Sequence, residues 1–221
     1  MPRAARLVVA GHPHHILQKT FEGRPAFFDM GDYFAFLEQL RRFRDQYRLE
    51  ILAWCLMPDH FHLLVVPEEA ETLAKGIGSA CLVHSQHLNR KYKRSGHIWQ
   101  ARFYSSVVDR GDYLLAAARA IELNPVRAGK VRRAEEWPWS SARHHLTGRR
   151  DPLVNNAAAF PDPATWREWL NTGDDGATAA LIEATKGGRP FAGPTLIAEL
   201  ERLTGRRLTK GKPGRPRKQL D

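Results

Sequence analysis

The sequence predicts an α+β protein built on one antiparallel sheet, and three observations carry that prediction. Residues 54–66 read as two strands meeting at a tight turn, Met57-Pro58-Asp59, with side chains alternating between faces. An amphipathic helical repeat flanks this hairpin on each side. A further extended segment lies outside each helix. The resulting order, β-α-β-β-α-β with one helix after it, is the split βαβ arrangement called ferredoxin-like or RRM-like.

Each element has its own signal. The first extended stretch spans residues 7–20 and centres on His15-Ile16-Leu17-Gln18-Lys19. Pro13 fixes a bend before it, so His12, His14 and His15 are read as a polar loop rather than a ligand set. Residues 29–47 form the first helix, with Phe34, Leu37, Leu40, Phe43 and Tyr47 on its stripe and Asp29 or Asp32 as cap. Arg41, Arg42, Arg44 and Arg48 suit its C-terminal dipole and are read as a solvated face. In the second strand of the hairpin His60 and His62 point to one side, and Phe61, Leu63 and Val65 to the other. Residues 72–92 form the second helix, with Leu73, Ile77, Ala80 or Cys81, His84 and Leu88 as its stripe. A basic turn follows, Asn89-Arg90-Lys91-Tyr92-Lys93-Arg94-Ser95-Gly96. Residues 98–108 supply the last strand. The third helix starts near Asp112, carries Tyr113, Leu114, Leu115, Ala117 and Ala118, and runs to Asn124, where Pro125 stops or kinks it. The helices should cover one face of the sheet and leave the other to the histidines.

Three segments follow from this reading. Residues 1–150 form the main domain and 151–209 a small helical extension, in which Trp166 and Trp169 pack one helix on the body and Leu196, Ile197, Leu200 and Leu203 mark another. Residues 210–221, rich in Lys, Arg, Gly and Pro, cannot bury themselves and should be disordered alone.

Composition narrows the partners. The 221 residues are 43% hydrophobic, enough for a real core, and carry a formal charge of +10, which suits a polyanion. No apolar run is long enough to span a bilayer, and the first residues lack the apolar core of a signal peptide, so a cytoplasmic, nucleoid-associated protein is expected. The two cysteines, Cys55 and Cys81, read as small core residues and exclude a Cys-based zinc site. His60 and His62, two residues apart on a strand, can share one metal ion, although paired strand histidines are also common as polar surface.

Four further pieces, in order, resemble the REP-associated tyrosine transposases, a single-tyrosine branch of the histidine–hydrophobe–histidine endonucleases. They are Leu56-Met57-Pro58-Asp59-His60-Phe61-His62-Leu63-Leu64; Gly96-His97-Ile98-Trp99-Gln100-Ala101-Arg102-Phe103; Tyr113-Leu114-Leu115 with Arg119-Ala120-Ile121-Glu122-Leu123-Asn124-Pro125-Val126-Arg127-Ala128-Gly129; and Trp137-Pro138-Trp139-Ser140-Ser141. The resemblance implies an enzyme that cuts single-stranded or hairpin DNA of the repetitive extragenic palindrome type, as monomer or homodimer. A tyrosine oxygen attacks phosphorus, leaving a 5′-phosphotyrosine and a free 3′-hydroxyl. It also implies that His60, His62 and Asn124 hold Mg²⁺ or Mn²⁺, and that the nucleophile belongs four residues before Asn124, one helical turn away.

Position 120 is alanine. Without an oxygen there, the chain as written should not form the covalent intermediate, and it would bind DNA without cutting it. Two origins fit, a deliberate truncation that traps a complex and a natural loss; the intact remaining motifs favour the first. Tyr113 and Tyr104 are read as structural or DNA-packing residues rather than substitutes.

Three functions compete. The first is the transposase chemistry; the second is a non-catalytic nucleic-acid-binding module, which on this topology would present aromatics on an open sheet face. The third, a nuclease using activated water, ranks last because only Asp59 and Glu122 are near, and Glu122 lies off the helical face of 120 and 124. For DNA contact the expected residues are Arg90, Lys91, Lys93, Arg94, Arg102 and Arg127, with Trp99, Phe103 or Tyr104 stacking on splayed bases. In the tail, Gly214-Arg215-Pro216-Arg217 resembles a minor-groove hook that inserts Arg215 and Arg217.

Overall fold

Alternation in the hairpin decides the architecture, because it gives the sheet two faces that must each be covered. The computed structural model describes residues 6–156, 158–172 and 175–209. Its strands are β1 (His14–Lys19), β2 (Leu49–Met57), β3 (His60–Pro67) and β4 (Tyr104–Val107), in the sheet order β2-β3-β1-β4. All three pairings are antiparallel. This is the predicted β-α-β-β-α-β topology.

One face packs under α1 (Met30–Gln46) and α2 (Ala70–Lys91). Ile16, Ile51, Trp54, Leu56, Phe61, Leu63 and Val65 from the sheet meet Phe36, Leu40, Leu73, Ile77 and Leu88 from the helices. Each such fully buried side chain contributes roughly 1.5–3 kcal/mol. The predicted stripe of α2 is buried as expected, whereas on α1 Phe34 is 58% exposed and Tyr33 and Phe36 take its place inside. Asp29 caps α1 in a reciprocal capping box with Asp32.

The opposite face is also covered, which corrects the expectation of an open one. Helix α3 (Asp112–Glu122), continued after Leu123 by the single turn α4 (Asn124–Arg127), lies over β2 and β3. Pro125, which has no N–H, sits where the two pieces join. Helices α5 (Ala142–Thr147), α6 (Pro163–Asn171), α7 (Asp175–Gly187) and α8 (Pro194–Thr204) follow, with α7 packed against β4. Here Leu52, Ala53, Cys55, Met57 and Leu64 share a core with Leu114, Ala117, Ala118, Ala120, Ile121, Trp166, Leu181 and Phe191. Residues on both sides of position 150 thus build one core.

Two local departures follow from competing interactions. The last strand is shorter than residues 98–108, because 98–103 make only an isolated bridge, Thr20 to Trp99, and single backbone bonds to β1. The Trp137–Ser141 segment runs along β2: Leu56 N–H donates to the Trp139 carbonyl, Ser141 N–H to the Trp54 carbonyl, and Trp137 Nε1 to the Leu56 carbonyl. That segment protects the sheet edge from pairing with other chains.

Candidate metal and nucleic-acid site

Register places the site. Across the second face, Lys19 lies opposite His60, Leu17 opposite His62 and His15 opposite Leu64. Opposed residues in an antiparallel pair share a face, so His15, Lys19, His60 and His62 all lie on the α3 side. His60 and His62 meet edge to face with ring centroids 5.3 Å apart. The predicted sharing of one face by the two histidines is borne out.

Each imidazole has one nitrogen committed. Asp59 Oδ1 accepts from His60 Nδ1 at 2.7 Å, which leaves Nε2 as the acceptor. Asn124 Nδ2 donates to that Nε2 at 2.8 Å. Asn124 gets there because it begins the turn α4, one turn after Ala120. His62 Nδ1 lies 2.8 Å from His15 Nε2, and His15 Nδ1 lies 2.7 Å from the Thr185 hydroxyl on α7. Burial holds the pKa of His62 well below the ordinary imidazole value, with the nearby His15, His60, Arg127 and Lys19 charges acting the same way. Burial alone lowers His15 to about 3. Both are therefore neutral imidazoles at neutral pH, the form in which a ring nitrogen can ligate.

These residues fit a divalent cation on chemical grounds. His60 Nε2 carries a lone pair, and turning the Asn124 amide over would aim its oxygen where its nitrogen now points. Among the described residues no group of three or more His, Cys, Asp or Glu side chains could hold an ion. Two imidazoles and one amide oxygen would need water or phosphate oxygens to complete the set. Imidazole nitrogen suits Mn²⁺ better than the harder Mg²⁺.

The remaining predicted residues divide. Ala120 is 5% exposed and counts among the apolar residues of the second core, with its carbonyl accepting from Arg127 Nη2. Arg127 is thereby held beside position 120. Arg90, Lys93 and Arg102 are exposed. Arg94 lies over the Phe28 ring at 5.5 Å. Lys91 is committed elsewhere: its ammonium binds Asp29 Oδ2 at 2.8 Å and Asp32 Oδ1 at 2.7 Å, tying α2 to the start of α1. Trp99 and Phe103 are engaged within the protein. Trp99 packs edge-on to Phe61 and donates Nε1 to the Cys81 carbonyl, while Phe103 is buried with the Arg6 guanidinium 3.8 Å over its ring. Tyr104 sits opposite Leu17, in the row that contains His62. It lines a basic cavity of about 170 Å³ with Arg6, Arg102, Lys186 and Arg206. Tyr113 packs edge-on to Phe191. Arg215 and Arg217 lie outside the described residues.

Glu122 stands apart from the His60–Asn124 pair, as its position on α3 predicts. It is fully buried and accepts from Ser141 Oγ at 2.5 Å, His145 Nδ1 at 2.6 Å and Trp166 Nε1 at 2.9 Å. Sequence reading missed His15, Lys19 and Thr185. The expected polar loop is instead the start of β1, where His14 and His15 are strand residues with no exposed surface. Pairing register is the signal that finds His15 and Lys19; no local pattern reveals Thr185.

With that geometry in view, comparison with known proteins assigns the family. The family model described as "Transposase IS200 like" matches residues 11–121, half of the chain. The chain belongs to the IS200-like transposases. The matched region contains both histidines and position 120, and ends before Asn124. A relative from Haemophilus influenzae, named for the REP-associated tyrosine transposases, is 32% identical over 108 residues. That match covers 44% of this chain and 61% of the relative's length. A solved structure of a REP-associated tyrosine transposase bound to a REP hairpin superposes with a TM-score of 0.58 at 18% identity. It covers 71% of this chain and 93% of that one, and at this identity it establishes the shared fold. Among the described residues no helix is long and apolar enough to cross a membrane.

Proposed function

We propose that this member of the family binds single-stranded and hairpin DNA of the repetitive extragenic palindrome type, and that its second sheet face is a metal-dependent strand-cleavage site lacking its nucleophile. One observation carries the reading: His60 Nε2 receives the Asn124 amide at 2.8 Å, one helical turn from position 120. The relatives named for palindrome-associated transposition support the substrate class.

His60, His62 and Asn124 would hold Mn²⁺ or Mg²⁺. When bound, such an ion polarises the scissile phosphate. Asp59 fixes the ring of His60 by accepting a hydrogen bond from its Nδ1–H. Lys19 and Arg127 supply positive charge at the site's edge, where a bridging phosphate would lie. His62 is 7% exposed, so charge interactions around it are screened little. Ala120 offers no oxygen, and this chain therefore binds without forming the phosphotyrosyl link.

A non-catalytic binding module, retained after loss of chemistry, is the second reading, and Ala120 is the observation that favours it. The open aromatic sheet of RNA-binding domains is not its basis, since both faces are covered.

The test is a titration of hairpin and unstructured oligonucleotides at several salt concentrations. Hairpin DNA should bind more tightly, and log affinity should fall linearly and steeply with log salt, by about 0.7–0.9 per phosphate neutralised. Equal binding of both oligonucleotides, or affinity indifferent to salt, would overturn the reading.

A further inference from the structure

The contacts behind His62 form a directional chain, and each link has a known donor or acceptor limit. Thr185 Oγ1 lies 2.7 Å from the Leu181 carbonyl and 2.7 Å from His15 Nδ1. A hydroxyl has one proton and the carbonyl can only accept. If the proton goes to Leu181, Oγ1 accepts from His15 Nδ1–H, His15 Nε2 accepts from His62 Nδ1–H, and every contact is a hydrogen bond. In the opposite sense the Thr185 and Leu181 oxygens face each other at 2.7 Å as two acceptors. Nothing solvates that repulsion, because Thr185 and His15 have no exposed surface. The rings of His15 and His62 are near-parallel, 9° apart, with centroids 5.0 Å apart, a separation that matches the 2.8 Å contact between their nitrogens.

We propose that Thr185 and His15 are positioning residues that lock His62 in its Nδ1–H tautomer and leave Nε2 bare toward the Asn124 side of the site. Asp59 does the same for His60 through a carboxylate. The two candidate ligands are thus oriented by different devices, one acidic and half-exposed, the other neutral and buried. The buried device reaches into α7, so the C-terminal segment completes the site rather than decorating the domain. The inference rests on the metal reading for its purpose, though not for its first observable.

The experiment uses the full chain labelled with ¹⁵N-histidine, without metal, and long-range ¹H–¹⁵N spectra that report which ring nitrogen bears the proton. His62 should carry it on Nδ1, and so should His15. Thr185→Val, which keeps the shape and removes the acceptor, should shift the His15 and His62 ring signals and weaken Mn²⁺ binding by about 10–100-fold. Thr185→Ser should restore both. Mn²⁺ affinity is read by electron paramagnetic resonance of the free ion. An Nε2–H tautomer of His62 in the unsubstituted protein would overturn the proposal, and so would a folded valine variant with unchanged ring signals. If the valine variant fails to fold, the unsubstituted spectrum and the serine variant still decide it. The predicted tautomers together with no Mn²⁺ binding would uphold the relay and defeat the metal reading.

Discussion

The two faces of one sheet were solved by different chemistry. Beneath α1 and α2 the interior is mainly apolar, with His84, whose Nε2 donates to the Ala26 carbonyl, and Asp32 among its few buried polar side chains. Beneath α3 and α7 the same strands bury His15, His62 and, farther along, the Glu122–Ser141–His145–Trp166 network. Hydrophobic packing is non-directional and tolerates substitution by volume. Buried polar groups demand specific partners, and those partners come from distant parts of the chain. The first face builds the apolar scaffold and the second holds the buried polar groups.

The largest effect that would sharpen this contrast is on the apolar side. Phe61→Ala removes a ring with no exposed surface that packs against Phe36 and Trp99. Urea unfolding should show a loss of about 3–5 kcal/mol, with Mn²⁺ affinity retained wherever the protein stays folded. Loss of metal binding at full foldedness would show the faces are not separable. Glu122→Ala comes next, since it orphans three buried donors at once. A destabilisation of about 3 kcal/mol is expected, again by denaturant midpoint, and a neutral result would mean water replaces the carboxylate.

Asp59→Asn should act the other way round. The side chain is half-exposed, so stability should change by less than about 0.5 kcal/mol. Mn²⁺ affinity should nevertheless fall about 10–100-fold as His60 loses the carboxylate's charge and keeps only a neutral amide oxygen as acceptor. Acid provides the smallest handle per step. Burial lowers His14 and His84 from 6.5 to about 4, so between those values the unfolded chain binds protons that the folded chain refuses. Stability should therefore be full above pH 6.5 and fall as pH drops, by up to ~1.4 kcal/mol per pH unit for each such histidine. Thermal melts of the unsubstituted protein and of His84→Gln between pH 7 and 4 should show a shallower slope in the variant. Identical slopes would remove His84 from the account.

The same contrast explains what was legible in the sequence. Helical stripes and strand alternation follow from burial of apolar surface, so α1, α2, the hairpin and the shared face of His60 and His62 could be read directly. Asn124 came from the family resemblance, and the stacking of i and i+4 on a helix gives its spacing from position 120 a physical reason. The covering of the second face could not, since α7 is weakly periodic and its role rests on one hydroxyl meeting a histidine 170 residues away. The packing of Trp99 and Phe103 within the protein could not be read either, because aromatic residues near arginines have two uses. The ion pairs of Lys91 were hidden for a similar reason: a cation in a basic run carries no mark of the carboxylates folded against it.

The most direct test of the central claim, that this is a cleavage site short of one oxygen, is Ala120→Tyr. A labelled hairpin oligonucleotide is incubated with Mn²⁺ and each protein, then run on a denaturing gel for a slow-migrating protein–DNA adduct. The account predicts an adduct with the tyrosine variant and none with the chain as it stands, while both bind the hairpin. An adduct formed equally by the alanine chain would contradict it and move the chemistry to another oxygen, with Tyr104, in the same row as His62, the first to examine. No adduct from a folded tyrosine variant that binds both metal and hairpin would contradict it as well, and would leave a binding protein.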